Sequence, residues 1–306
     1  MEIDYRTQME SAIDKVTGEI IDAEQLWLIE NVDKERYICR GCGAKAVPAS
    51  YQPENVVRPY FRSTHNADCD VSGEAKLAAR GRLEKLGSKL TGFPAPYPSK
   101  LVLVDDRVVV DDGPGGEHPL PPRTRGGPRV DGGGTTDVQR KRSAGTIRPI
   151  CRTFINYPYD RYLDLSVPGV ETKTYAQVFK KLKWDELLSY PDQRIFYAAM
   201  RWSPPLRTDD YFEVSLDGGG REGKKLIQPY RIRIAWTAWS KSKRTYVCNE
   251  LEVARKDAIA EAEKKTNKKA YLFFLGQQDH GDLTLFHVTD HRLICCLFDE
   301  VIWPKF

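Results

Sequence analysis

The chain has 306 residues, 41% of them hydrophobic and 29% charged, with a formal net charge of +4. That length exceeds what one core usually organises and points to two domains, while so mild a basic excess leaves the placement of Lys and Arg to decide about polyanions. No apolar run is long enough to span a bilayer, and MEIDYRTQMESAID has no basic-then-apolar leader pattern, so a cytoplasmic, membrane-free protein is expected.

In chain order, SAIDKVTGEIIDA reads as a hairpin turning at Thr17-Gly18. YICRGCGAKAVPAS follows as a second β pair interrupted by the knuckle Cys39-Arg40-Gly41-Cys42-Gly43. Ser72 is placed to cap a helix over GEAKLAARGRLEKLGSKL, with Leu77, Leu83, Leu86 and Leu90 near helical spacing, and KLVLVDDRVVV reads as a closing hairpin. Residues 1–111 thus form a β-rich N-terminal module.

Three of the seven cysteines fall in this module with one histidine. Cys39-x2-Cys42 puts two thiolates on a tight turn, and His65-x3-Cys69 brings a second pair from a distant segment. Together they make a Cys3His set, which suits a tetrahedral, structural Zn2+ with every position filled by protein. The competing readings are a redox Cys-x-x-Cys and four unrelated residues; the first leaves His65 and Cys69 unexplained. An odd cysteine count, with Cys151, Cys248, Cys295 and Cys296 scattered beyond the cluster, argues against a secreted disulfide framework.

The order TGE, YICRGCG, RPYFRSTHNADCD and a helix beginning GE resembles the N-terminal zinc module of CoiA-like competence proteins and their mobile-element and defence relatives. The likeness covers roughly the first 90 residues. It implies a bacterial, DNA-related setting. In that family a histidine typically precedes the phenylalanine, where this chain has Tyr60, and a restriction-like nuclease centre follows where this chain has a Gly/Pro-rich stretch.

From Gly113 to Thr146 the chain holds nine Gly, five Pro and six Lys or Arg. Residues 112–146 therefore read as a disordered, mildly basic linker, or as a basic tail that folds onto a polyanion. Residues 147–306 are expected to be a β-rich α+β domain, for which an OB-type barrel is one architecture. Its segments are YLDLSV, KTYAQVFKKL, RIFYAAMRW, YFEVSLD, PYRIRIAWTAW, KRTYVC, AYLFFLG and LTLFHV, with one clear helix over ELEVARKDAIAEAEKK, capped by Asn249 with Glu252 three residues on.

Period-2 alternation from Tyr230 to Trp239 sends Tyr230, Ile232, Ile234 and Trp236 to one face. Arg231, Arg233 and Trp239 go to the other, continued by Lys241 and Lys243, which makes a candidate single-strand platform; Arg201 and Trp202 are a conceivable extension. The bland alternative is a solvated face whose arginines pair with carboxylates on a neighbouring strand, Trp239 being core.

Four catalytic candidates remain. GGGREGKK, Gly218 to Lys225, nearly matches a phosphate-binding loop but precedes a strand and reads better as a hairpin turn. Asp164, Glu171 and Lys173 flank Pro168-Gly169 and are the basis of an alternative reading as a metal-dependent nuclease. His287, His291 and Cys295 have helical spacing for a second metal but fall on a strand and a turn, and Cys151 has no local nucleophile signature. The expectation is a non-catalytic nucleic-acid-binding accessory factor, with a nuclease or a protein-interaction adaptor as alternatives.

Overall fold

The computed structural model describes residues 7–29, 31–52, 58–66, 69, 74–88, 92–103, 141–264 and 266–304. The fold is mixed α+β, mostly sheet. The N-terminal strands are β1 (Thr7–Met9), β2 (Ser11–Asp14), β3 (Ile20–Asp22), β4 (Tyr37–Ile38), β5 (Ala46–Ala49) and β6 (Tyr60–Ser63), followed by helix α1 (Glu74–Gly81) and strand β7 (Tyr97–Leu101). The expected hairpin forms between β2 and β3, with Gly18 at φ 74°. Asp14 secures its turn, accepting from the Val16 N–H at 2.8 Å and pairing with Arg36 at 2.6 Å.

Helix α1 is shorter than the leucine spacing predicts. It stops at Gly81, where a Cβ would lie 2.4 Å from Tyr157 Cδ1, and the backbone N–H groups of Leu86 and Gly87 then donate to Asp160 at 2.9 and 2.8 Å. Close packing and a carboxylate clamp thus take the place of another helical turn, and Leu83 is left 79% exposed. Ser72 and the second half of the expected hairpin KLVLVDDRVVV lie outside the described residues.

Of the expected linker, residues 112–140 also lie outside them. Lys141–Ala144 is strand β8, which runs parallel to both β3 and β7 and completes the sheet β4-β2-β3-β8-β7. A second sheet has the order β1-β6-β5.

The rest of the chain comprises α2 (Ile147–Asn156), α3 (Tyr175–Val178), β9 (Phe179–Lys181), β10 (Ile195–Ala199), β11 (Leu206–Arg207), β12 (Tyr211–Glu222), β13 (Lys225–Ala235), α4 (Lys241–Glu261), β14 (Lys269–Leu275), β15 (Gln277–Gln278), β16 (Leu285–Val288) and β17 (Ile294–Asp299). Two open sheets, β17-β14-β10-β9 and β11-β12-β13-β16-β15, replace the OB-type barrel; there is no closed barrel among the described residues. GGGREGKK closes the β12–β13 hairpin with Gly223 at φ 59°. In the same hairpin Gly219, at φ 125°, allows a register shift where any Cβ would meet the Gln228 carbonyl at 2.1 Å.

Helix α4 corrects two expectations. KRTYVC is helical instead of extended, and the N-cap is Ser240, whose hydroxyl accepts from the Lys243 N–H at 3.3 Å, while Asn249 lies inside the helix. The seam Val247, Leu251, Ala254 and Ala258 is buried against the C-terminal sheets. YLDLSV contributes only isolated bridges, Asp164↔Thr174, Val167↔Val170 and Ser166↔Lys100. Among the described residues no helix is long and apolar enough to cross a membrane.

Helix α2 joins the N-terminal sheet to the rest. Its buried residues Ile150, Cys151 and Phe154 share one core with Tyr37 and Phe61 on one side and Tyr197, Phe273 and Leu297 on the other. Beside this core lies a buried charge cluster. The Arg148 guanidinium, 2% exposed, contacts Asp22 at 2.9 Å, Glu24 at 2.5 Å, Glu250 of α4 and the Cys296 carbonyl of β17 at 3.2 Å. Arg152 reaches Asp22 at 3.0 Å and Glu24 at 3.4 Å, and pairs with Glu10 at the rim.

Candidate metal centre and cationic faces

The metal centre is built from a turn and a strand end. Strands β4 and β5 are joined by the knuckle, in which the Cys39 N–H donates to the Ala44 carbonyl at 2.7 Å and the Gly43 N–H to the Cys39 carbonyl at 3.0 Å, with Gly43 at φ 71°. The left-handed residue turns the chain so that both sulfurs face inward. The Gly41 N–H donates to Cys39 Sγ at 3.4 Å. His65 and Cys69 follow strand β6, and Phe61 of that strand is fully buried at 5.1 Å from the Tyr37 ring.

One ligand atom from each of Cys39, Cys42, His65 and Cys69 lies within 4.8 Å of the other three. Cys39 Sγ to Cys69 Sγ is 3.8 Å, Cys42 Sγ to His65 Nδ1 is 3.6 Å and Cys69 Sγ to His65 Nδ1 is 3.4 Å. A tetrahedral ion with sulfur at about 2.3 Å and nitrogen at about 2.0 Å has edges of about 3.8 Å between sulfurs and about 3.5 Å from sulfur to nitrogen. These three separations are those of a tetrahedral metal site, with Nδ1 as the histidine ligand.

The cysteines differ in their protonation. Burial pushes the Cys39 thiol up to about 12. Burial also works against the Cys42 thiolate, but backbone N–H groups of Asn66 and Ala44 and the His65 ring outweigh it and bring this thiol down to about 6. Cys42 is ready to ligate at neutral pH, whereas Cys39 needs a cation beside it to lose its proton.

Neither protein-family models nor curated proteins nor solved structures give a match to this chain. The geometry of its own residues is what the functional reading has to stand on.

The alternation holds from Tyr230 to Trp236, with Tyr230, Ile232, Ile234 and Trp236 at most 1% exposed, and fails beyond it, where Ala238 is exposed. The opposite face is not bare. Arg231 pairs with Glu213 at 3.1 Å and Asp282 at 2.6 Å, and Arg233 with Glu213 at 2.8 Å. The strand ends at Ala235, and Trp239 packs against the core with its indole N–H donating to the Thr289 carbonyl at 3.1 Å. Lys241 and Lys243 are on α4, so they do not continue the strand face.

Asp164, Glu171 and Lys173 are exposed, and Asp164 pairs with Lys141 at 2.6 Å. His287 faces Asp279 at 3.0 Å, His291 faces Asp290 at 3.3 Å, and Cys295 is buried in β17. Cys151 lies in the core, where burial raises its thiol far above the usual range. Among the described residues the Cys3His set is the one group of His, Cys, Asp and Glu that converges for a metal.

Proposed function

We propose that the chain is a zinc-stabilised nucleic-acid-binding accessory protein, acting in bacterial DNA transfer or phage defence. The observation that carries the reading is the Cys3His set at tetrahedral spacing, in a module whose motif order resembles the CoiA-like one. With four protein ligands the ion leaves no position for a reactive water, so its role is to hold the knuckle against β6. A salt-dependent titration with single- and double-stranded DNA and RNA tests the function. Affinity that falls steeply between about 50 mM and 200 mM salt supports it. No affinity at the lower salt overturns it in favour of the protein-interaction adaptor. Cleavage with Mg2+ that Glu171→Gln abolishes, binding being kept, establishes the nuclease instead.

A further inference from the structure

We infer that single-stranded nucleic acid is held in the groove between the end of β10, the C-terminal end of α4 and the start of β14, an inference that rests on the nucleic-acid reading above. The groove has a cavity of about 510 Å³ lined by Arg201, Trp202, Lys268 and Lys269. A second cavity of about 150 Å³, lined by Lys181, Trp184 and Tyr271, adjoins it through Ala199, Asp217 and Lys269.

Three observations set this groove apart from the Arg231 face. The cations Lys181, Arg201, Lys268 and Lys269 form no ion pair among the described residues, whereas Arg231 and Arg233 are engaged by Glu213 and Asp282. The groove's own carboxylates are already matched, Asp217 by Arg221 at 2.5 Å and Glu261 by Lys264 at 2.9 Å. Its positive field is therefore left for a ligand.

Two indoles are presented as well. Trp202 and Trp184 are 53% and 54% exposed. The backbone under Trp202 is fixed, since its carbonyl accepts from Arg255 Nε at 3.0 Å, the Arg201 N–H donates to the Ser215 carbonyl at 3.0 Å and the Met200 N–H donates to the Ala270 carbonyl at 2.7 Å. An exposed Trp202 on a fixed backbone, with unpaired cations lining the same groove, suits a strand whose bases stack and whose phosphates meet lysine, while Trp184 has one face under the Arg221 guanidinium at 4.9 Å and offers the other. Duplex DNA, with its bases already stacked, cannot use the rings.

The test titrates full-length protein with fluorescent oligo(dT) and with a duplex of the same length, across salt. Trp202→Ala is expected to weaken oligo(dT) binding by about 5- to 150-fold with an unchanged salt slope, and Trp202→Tyr to recover most of it. Lys268→Ala with Lys269→Ala lowers the slope by about 1.4. Oligonucleotides carrying a photoreactive uracil crosslink to the peptides of Trp202 or Trp184, a readout independent of any substitution. Groove variants that bind like wild type, while Arg231→Ala with Arg233→Ala loses binding, overturn the groove and leave the nucleic-acid reading standing. Duplex held as tightly as oligo(dT), with Trp202→Ala silent, also overturns it. Wild type that binds neither at about 50 mM salt defeats both.

Discussion

The Cys3His centre and the Arg148 cluster both fasten segments that are far apart in sequence, by opposite means. The centre draws its ligands from a span whose ends are 30 residues apart, and its side chains have little use other than coordination. The cluster joins Glu24, Arg148 and Glu250 across separations of 124 and 102 residues, using residue types that usually coat a surface. A metal supplies folding free energy outright, whereas a buried ion pair spends most of its Coulomb attraction on desolvation. The centre should therefore dominate stability, and the cluster should matter chiefly when it is broken from one side.

Chelation or Cys39→Ser is expected to have the largest effect. The apparent binding free energy of structural zinc, about 10–16 kcal/mol in small modules, rivals the whole stability of a domain. Amide exchange should rise through β4, β5 and β6, and because Tyr37 and Phe61 share a core with α2, the melt of the whole chain should fall. An unchanged melt would break the comparison.

Arg148→Ala comes next, at about 3–5 kcal/mol in denaturant titration, because it leaves Glu250 buried without its guanidinium and Asp22 and Glu24 with Arg152 alone. A cost under about 1 kcal/mol would mean that water reaches the cluster.

The cluster also has a pH signature. Three buried carboxylates share two guanidiniums, and burial raises the Asp22 carboxyl to about 7 against the pull of Arg152 and Arg148. A carboxyl with a folded pKa above its unfolded value binds more protons in the native state between about 4 and about 7, so its contribution to stability is lost as pH rises through that window. Asp22→Asn, which mimics the protonated form, should flatten this part of the profile of melting temperature against pH. A wild-type profile without that decline would contradict the assignment.

The smallest effect belongs to Lys141→Ala. Its pair with Asp164 is exposed on the carboxylate side, and its loss should change stability by about 0–1 kcal/mol. A larger cost would show that the end of β8 is held by more than its backbone.

What could be read in advance follows the same contrast. The ligand set and the Tyr230–Trp236 alternation were legible because each is a local rule of spacing. Helix α4 was half legible: Tyr246 and Val247 have strand propensity, yet Val247, Leu251, Ala254 and Ala258 repeat at helical intervals, and tertiary burial decides. Strand β8 was hidden by the composition of the stretch before it, although Ala144 is the small residue that pairs with Ile20. Nothing local marks Glu250 as interior, since its partners are Arg148 and the Cys296 N–H at 2.7 Å. Lys268 and Lys269 carried no reading of their own between the Thr266-Asn267 turn and the strand AYLFFLG, and only the fold sets them beside Trp202.

X-ray absorption at the zinc edge of the purified full-length protein tests the central assignment most directly. The expected result is one equivalent of zinc with three sulfur neighbours at about 2.3 Å and one nitrogen at about 2.0 Å, the set offered by Cys39, Cys42, Cys69 and His65 Nδ1. Less than about half an equivalent in a protein that melts cooperatively, or a shell of nitrogen and oxygen alone, would contradict it.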